Sequence, residues 1–369
     1  MTDSTDLLPI GLEDRLPQLA ARITAAMRAC LDTLESHGYE RVRPPLLEFE
    51  SSLASRMPGA QTKRCFRVTD PVSLRTLALR SDITPQIGRI AATLLKHAPR
   101  PLRLAYCGDT ALIEASQLDP ARSRLQLGGE LIGTDSANAA GETVALAVEA
   151  LREAGLTGIS VDFTMPDLID TLATGDTGLD PDQIEAIRRE LDTKDAGGLK
   201  QAGGAEYLPL LYATGEFAEA LAKLRAFDKA GVLASRLDGL EAIAARVKGR
   251  ARITLDPTER HGFEYQSWFG FTLYADGVRG AAGRGGTYRI GGSGEVASGF
   301  TLYVDRLAAA APDPVFKHWV IYLAIDHDPD VAKVARDQGH RFVGQLSDDE
   351  DPRALGCTHV LKGGELSAL

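Results

Sequence analysis

Residues 124–133 read Arg-Leu-Gln-Leu-Gly-Gly-Glu-Leu-Ile-Gly, with polar and apolar residues in alternation. A period of two is typical of a β-strand, because successive side chains of a strand point to opposite faces of the sheet. Gln126 and Glu130 therefore share one face, and leucines lie on the other. One interpretation is a solvated polar face. On a buried face, the amide and the carboxylate need a partner, and an ammonium group would satisfy them.

Helices and further strands are predicted on both sides of this segment. Apolar residues recur at steps of three and four from Asp14 to Glu35 and predict an amphipathic helix. Two more helices are predicted, from Pro85 to Leu95 and from Ser136 to Gly155. Extended segments are predicted at 63–68, 76–79, 103–107, 263–274, 283–294 and 300–307. Since strands and helices do not alternate strictly, the pattern predicts the α+β class.

Changes of composition and periodicity divide the chain into four segments. Residues 1–160 and 251–311 are predicted to be the two parts of one core domain. Residues 161–250 between them are predicted to form a helical insertion, with Asp180-Pro181 as a helix start. The alanine-rich segment Ala308–Pro314 indicates a linker, and residues 312–369 are predicted to form a small α/β unit.

Composition restricts the possible partners of the chain. Its 369 residues include 41 Lys and Arg against 51 Asp and Glu, a formal net charge of −10, which disfavours nucleic acid as a partner. No apolar run approaches the roughly 20 residues of a membrane span, and residues 1–8 lack an export signal. We therefore expect a cytoplasmic protein with no membrane partner. The four cysteines and seven histidines are scattered along the sequence, so we expect reduced thiols and no bound metal.

Several segments resemble the core of the class II aminoacyl-tRNA synthetases and, within that class, the histidyl-tRNA synthetase family. The resemblance covers roughly residues 8–310 and rests on Leu8–Asp14, Gly38–Glu48, Arg80–Gln86, Gln126–Gly133 and Ser298–Leu307. Gly38–Glu48 resembles the first motif of the class, through which the synthetases form dimers. The fold implied is a class II synthetase-like antiparallel sheet flanked by helices, with the helical insertion and the small C-terminal α/β unit in addition.

The resemblance also implies a pocket for free histidine. Asp82 and Thr84 match in kind the acid and the threonine that hold the histidine amino group in the synthetases, and Gln126 and Glu130 match the other amino-group ligands. Three tyrosines are candidates for the imidazole end of the ligand: Tyr106, Tyr265 and Tyr288. Core packing is the alternative interpretation of Tyr265 and Tyr288.

Two departures from the synthetase pattern concern adenylation. Residues 111–114 read Ala-Leu-Ile-Glu where catalytic members have Phe-Arg-x-Glu, whose arginine clamps the ATP α-phosphate. Residues 261–266 read His-Gly-Phe-Glu-Tyr-Gln in place of Arg-Gly-Leu-Asp-Tyr-Tyr, so a second arginine is missing unless Arg260 replaces it. Losing one preorganised cation of this kind typically lowers a rate by about 10²–10³-fold. We therefore expect no catalytic residue here and interpret Arg306 as structural, with a residual phosphate contact as the alternative.

An amino-acid pocket without adenylation arginines resembles the family of ATP phosphoribosyltransferase regulatory subunits, which are synthetase paralogues. This resemblance implies a non-catalytic chain that assembles with the short catalytic subunit in a hetero-octamer and pairs with itself through the synthetase-like dimer face. It implies that the chain activates the catalytic subunit in the first step of histidine biosynthesis and transmits feedback inhibition by histidine. It implies neither a cofactor nor tRNA as a partner.

Two other functions fit the same residues. An active histidyl-tRNA synthetase with a divergent second motif would show ATP–pyrophosphate exchange. A free-standing histidine sensor would act on a different partner protein. The inhibitory histidine also has alternative binding places, on the catalytic subunit or at its interface with this chain.

Overall fold

The structure is a computed structural model that describes residues 7–56, 64–114, 120–173, 179–260, 266–313 and 318–369. The chain divides into two compact units, Met1–Pro312 and Asp313–Leu369. Among the described residues, no helix has the length and apolar character that crossing a membrane requires. The larger unit contains all the segments that resemble the synthetases.

Local sequence signals explain where several helices of the larger unit begin. Ser136 caps α4 by accepting a hydrogen bond from the Ala139 N–H, and Asp180 and Gln183 form a capping box on α6. The first helix begins at Pro17, three residues after its predicted start, because proline suits a first helical turn. The helices are α1 Pro17–Ser36, α2 Glu50–Ala54, α3 Thr84–Ala92, α4 Ala137–Glu153, α5 Leu168–Leu172, α6 Pro181–Asp192, α7 Ala196–Gln201, α8 Phe217–Phe227, α9 Ala234–Val247 and α10 Val304–Ala310, with a 3₁₀ helix at Ala205–Tyr212.

The strands of the larger unit form one large and one small sheet. They are β1 Glu40–Arg41, β2 Leu47–Phe49, β3 Arg67–Thr69, β4 Thr76–Leu79, β5 Leu102–Ala111, β6 Ser123–Ile132, β7 Ser160–Thr164, β8 Gly215–Glu216, β9 Arg252–Leu255, β10 Gln266–Tyr274, β11 Gly283–Arg289 and β12 Val296–Tyr303. The large sheet has the order β1-β5-β6-β12-β11-β10-β7-β9-β8, and the small one β2-β4-β3. Pairing is antiparallel from β5 through to β7. The predicted α+β class with a large antiparallel sheet is confirmed.

The large sheet is covered on both faces, and the two faces differ in chemistry. Helix α4 packs against α1, α9 and β12 on one face, where Leu127 and Phe300 join the main apolar core. On the other face, Ile83 and Ile87 of the α3 region pack against Ile132. Each such buried side chain contributes about 1.5–3 kcal/mol relative to exposure. Because residues of a strand alternate in direction, Gln126 and Glu130 share the face of Ile132, under α3.

Two predictions near the end of the core are wrong. The strand predicted over residues 300–307 ends at Tyr303, and α10 begins at Val304. The alanines at 308–310, predicted to be part of a linker, belong to α10, and Ala308 is fully buried. Alanine has the highest helix propensity of all residues, so a short alanine-rich run next to a strand favours a helix over a linker.

Residues 161–250 are mainly helical, as they contain α5 to α9 and the 3₁₀ helix. The large sheet nevertheless continues into this segment, since β7 begins at Ser160 and β8 pairs with β9. Buried side chains of α6, α8 and α9 also belong to the same core cluster as those of the sheet. An insertion domain with its own boundaries at 161 and 250 therefore stays a prediction.

The smaller unit has an α/β arrangement around its own core. Its elements are β13 Val320–Leu323, α11 Pro329–Asp337, β14 Arg341–Gly344, β15 His359–Lys362 and β16 Glu365–Ala368. The sheet has the order β14-β13-β15-β16, with β13 parallel to both of its neighbours. Ile321 and Leu361 of this sheet pack against Ala332 and Ala335 of α11. Asp328 caps α11 by accepting backbone hydrogen bonds.

Three of the scattered histidines lie together in this unit. The Trp319 ring stacks on His340 at 4.6 Å and on His359 at 3.9 Å between ring centroids, and His318 meets His340 edge-on at 5.9 Å. Parallel strands begin at the same edge of a sheet, which brings residues near their first positions side by side. Within the described ranges, no group of three His, Cys, Asp or Glu residues is placed to hold a metal ion.

Candidate functional site

Strand β6 lies inside the large sheet, between β5 and β12. Gln126 is 5% exposed and Glu130 is 1% exposed, so the interpretation of a solvated polar face is wrong. Gly299 of β12 lies opposite Glu130 in the strand register. A Cβ atom at residue 299 would overlap Glu130 Oε2, so the glycine leaves the space that the carboxylate occupies.

Three hydroxyl groups surround the buried Glu130 carboxylate. Tyr288 donates to Oε2 at 2.7 Å, while Thr84 and Tyr106 donate to Oε1 at 3.1 and 3.3 Å. The Tyr106 hydroxyl also lies 2.7 Å from Thr301 Oγ1. Tyr106 and Tyr288, predicted for the imidazole end, thus lie on the same carboxylate as the predicted amino-group ligand Thr84.

Asp82 lies next to Gln126 and has one unused oxygen. Gln126 Nε2 donates to Asp82 Oδ1 at 2.7 Å, and the Ile83 N–H donates to Gln126 Oε1 at 2.9 Å, which fixes the orientation of the amide. The Thr84 N–H also donates to Asp82 Oδ1, at 3.1 Å. In the part of the chain that the structure describes, Asp82 Oδ2 is buried without a hydrogen-bond partner. A buried unsatisfied carboxylate oxygen is costly, and a donor from a ligand would satisfy it.

The segment that carries Asp82 and leads into α3 at Thr84 is held by Arg80. Its guanidinium donates to the carbonyl oxygens of Asp109 at 2.7 Å and Pro44 at 3.0 Å. A Cβ atom at Gly108 would overlap that guanidinium, so a glycine in β5 makes room for it. The buried Arg80 side chain therefore holds the segment before α3 against β5 and Pro44.

Burial changes the acid–base behaviour of both carboxylates. It raises the pKa of Glu130 to about 8, with nearby Asp82 adding to the rise and the Tyr288 hydrogen bond opposing it. Burial also raises the pKa of Asp82, against the hydrogen bond from Gln126. The charged form of a buried acid is disfavoured by desolvation and by a second acid nearby. At pH 7 the neutral form of Glu130 is therefore favoured when no cation lies beside it.

Residues of this cluster line two cavities. Thr84, Glu130, Arg284 and Tyr288 help to line a small cavity of about 20 Å³, roughly the room of one water molecule. A second cavity of about 610 Å³ is lined by Arg284 as well and reaches Asp82 and Gln126. Its volume lies within the range of small-molecule sites. Its charged lining residues are Arg15, Arg64, Arg124, Arg279, Arg284 and Arg306 with Glu13, Asp82 and Asp305.

The structure brings together all the predicted pocket residues that it describes: Asp82, Thr84, Tyr106, Gln126, Glu130 and Tyr288. Residues 261–265, which include the candidate Tyr265, lie outside the described residues. Sequence reasoning missed Thr301, whose hydroxyl contacts both Tyr106 and Gln126. The signal was Gly299-x-Thr301 in β12, which presents a glycine and a hydroxyl on one face of a strand.

Arg260 and Arg306, the two arginines considered above for a phosphate, both have contacts within the protein, and Arg306 also lines the larger cavity. The backbone N–H of Arg260 donates to Asp192 at 2.9 Å, and its guanidinium lies 3.6 Å from Glu185. Arg306 donates to the Ala281 carbonyl at 2.8 Å and packs over a tyrosine ring. These contacts fit the structural interpretation of Arg306.

Comparison with known proteins supplies the family. The histidyl-tRNA synthetase family model matches residues 11–307. An ATP phosphoribosyltransferase regulatory subunit from Rhodospirillum centenum is 37% identical over 381 aligned positions, which cover 100% of this chain and 98% of the relative. This chain belongs to the family of ATP phosphoribosyltransferase regulatory subunits. The family predicted from the sequence is confirmed.

Solved structures of related proteins confirm the fold. An ATP phosphoribosyltransferase regulatory subunit/histidyl-tRNA synthetase from Bacillus halodurans superposes with a TM-score of 0.79 at 23% identity, covering 98% of this chain and 99% of that one. A chain of an ATP phosphoribosyl transferase (HisG:HisZ) complex from Thermotoga maritima superposes with a TM-score of 0.60 at 15% identity, covering 76% and 97%. The class II synthetase-like fold expected of the family is thus present in this member.

Proposed function

We propose that this chain binds free histidine in the pocket around Glu130 and acts as the regulatory subunit of a short ATP phosphoribosyltransferase catalytic chain. The observation that carries the proposal is the buried pair of acids, Asp82 and Glu130, of which Asp82 Oδ2 lacks a partner among the described residues. Buried charges in proteins are normally paired. An α-ammonium group between these acids would make charge-assisted hydrogen bonds, which are about twice as strong as neutral ones.

The proposed ligand set follows the predicted one. The ammonium group is surrounded by Asp82, Thr84, Gln126 and Glu130. Tyr106 and Tyr288 lie beside it, since their hydroxyl groups donate to the Glu130 carboxylate. Tyr265 stays a candidate for the imidazole end. Because two acids repel an anion and attract a cation, this set favours an amine over a phosphate or a sugar.

The proposed role is allosteric, in the first step of histidine biosynthesis. Family membership supports assembly with the catalytic chain, and the histidine pocket supports feedback inhibition through this chain. Histidine changes turnover only if it binds the inhibited arrangement of the complex more tightly than the active one, since equal affinity shifts no equilibrium. A preference of about 100-fold corresponds to about 2.7 kcal/mol.

We also propose that the chain has no chemistry of its own and binds no tRNA. Support comes from residues 111–114, where the arginine of the synthetase motif is replaced by leucine, and from the net charge of −10. Positively charged donors at the phosphate are the largest contribution to catalysis of this kind.

Self-association through the synthetase-like dimer face, whose motif at Gly38–Glu48 runs into the small sheet β2-β4-β3, completes the proposed hetero-octamer. Several apolar side chains of this region are exposed in the single chain: Leu46, Leu47, Val68, Val72 and Leu74 are 39–90% exposed. Exposed apolar patches commonly mark contacts between proteins. A paired regulatory chain would cover them.

Co-expression with the short catalytic chain tests this function. We expect the two chains to co-purify as an eight-chain particle by light scattering, and the catalytic chain to turn over faster in the particle than alone. The regulatory chain by itself should catalyse no histidine-dependent ATP–pyrophosphate exchange. A particle that fails to form, or exchange at the rate of a synthetase, would contradict the proposal.

Histidine binding should release a proton at pH 7. Because burial raises the pKa of Glu130 to about 8 and also raises the pKa of Asp82, and both acids must ionise to pair with an ammonium group, protons should leave as histidine binds. The affinity should accordingly rise as the pH rises towards 8. Calorimetry in buffers of different ionisation enthalpy measures the number of protons released on binding. A binding enthalpy that does not depend on the buffer would contradict this proton release.

A further inference from the structure

We propose that Arg284 binds the α-carboxylate of the ligand. The pocket would then bind amino acids more tightly than amines that lack a carboxylate. The inference rests on the proposed histidine site. An α-amino acid carries its carboxylate two bonds from its ammonium group, so an acid pair that attracts the ammonium group also repels the carboxylate. A cation close to the acid pair is needed to hold both groups at once.

Arg284 lies at the position where such a cation is needed. It is in β11, opposite Thr301 of β12, whose hydroxyl contacts Tyr106 and Gln126. Its side chain helps to line both the small cavity at Glu130 and the larger cavity at Asp82. Among the described residues that line the small cavity, Arg284 is the one basic side chain.

The other arginines of the larger cavity are less suitable. Arg15, Arg124 and Arg306 line the larger cavity but not the small cavity at Glu130. Arg64 and Arg279 are exposed and do not line the small cavity. The planar guanidinium of arginine presents two parallel N–H donors that match the two oxygen atoms of a carboxylate. An ester, or a ligand without a carboxylate, cannot accept both hydrogen bonds in this way.

The test compares two ligands that differ only at the carboxylate. Histidine and histamine are titrated by calorimetry into the full-length chain and into the Arg284→Gln and Arg284→Lys variants. We expect histidine to bind the unmodified chain at least about tenfold more tightly than histamine. Arg284→Gln should weaken histidine by about 10- to 100-fold and histamine by less than about twofold, with Arg284→Lys in between.

The control is Arg289→Gln, an exposed arginine of the same strand that should change neither affinity. Equal weakening of both ligands by Arg284→Gln, or no weakening of either, overturns the carboxylate assignment. If that variant fails to fold, the unmodified chain still decides, because equal affinities for histidine and histamine overturn it too. Binding of neither ligand to the unmodified chain contradicts the proposed histidine site itself, which is a different result.

Discussion

Replacing Glu130 with glutamine is expected to weaken histidine binding by about 100-fold or more. The change keeps the size of the side chain but removes the negative charge that an ammonium ligand requires. It also places an amide N–H₂ in a position where hydroxyl groups of Thr84, Tyr106 and Tyr288 now donate to oxygen. Calorimetric titration of histidine into the isolated chain measures the loss.

The same substitution should leave the chain folded at pH 7. A buried carboxyl with a pKa of about 8 is mostly protonated at pH 7, so the neutral amide replaces a neutral acid. With the folded pKa raised above its unfolded value of about 4.5, Glu130 contributes stability below pH 4.5 that is lost as the pH rises through 8. The variant should lack this part of the pH dependence in thermal unfolding.

A matched control is Glu295→Gln. Glu295 pairs with Arg100 and does not line either cavity. This variant should bind histidine as the unmodified chain does. Full histidine affinity in Glu130→Gln, with unfolding curves that show a folded protein, would mean that the ligand does not use the buried acid.

The sequence predicted the central strand of the site well, and for a physical reason. Alternation in residues 124–133 is a local pattern, so it indicated both the strand and the shared face of Gln126 and Glu130. The placement of Asp82 and Thr84 next to them is not local, since 44 residues separate Asp82 from Gln126. It was predicted only through the resemblance to the synthetases.

The residues that sequence reasoning missed depend on register between strands. Gly299 and Thr301 lie at the site because β12 pairs with β6 in a register that places Gly299 opposite Glu130. Arg284, the proposed carboxylate ligand, lies beside Thr301 because β11 pairs with β12. A one-residue change of register would point these side chains to the other face, and the glycine-rich sequence of β11 gives little information on register.

Other predictions differ from the structure because the same residues are compatible with more than one local structure. The alanines at 308–310 fit both a linker and a helix, and burial of Ala308 against the core decided for the helix α10. The histidines around Trp319 lie at or just before the first residues of separate strands, and only the parallel arrangement of β13, β14 and β15 brings them together. Such outcomes depend on tertiary packing, which overrides local preference.

Feedback inhibition should be carried by the Glu130 pocket in the assembled complex. If histidine acts by binding this chain, the concentration that halves turnover must follow the affinity of the pocket, because a ligand shifts an equilibrium only through its differential affinity for the two states. A pocket weakened about 100-fold should therefore need about 100-fold more histidine for the same inhibition. Inhibitory histidine bound to the catalytic chain would leave the curve unchanged.

The most direct test of this account is a histidine titration of phosphoribosyl transfer in complexes reconstituted with the unmodified chain, Glu130→Gln or Glu295→Gln, each relative to its own uninhibited rate. The account predicts that Glu295→Gln follows the unmodified complex and that half-inhibition with Glu130→Gln shifts by about 100-fold or is not reached. Coincident inhibition curves for all three complexes would contradict it.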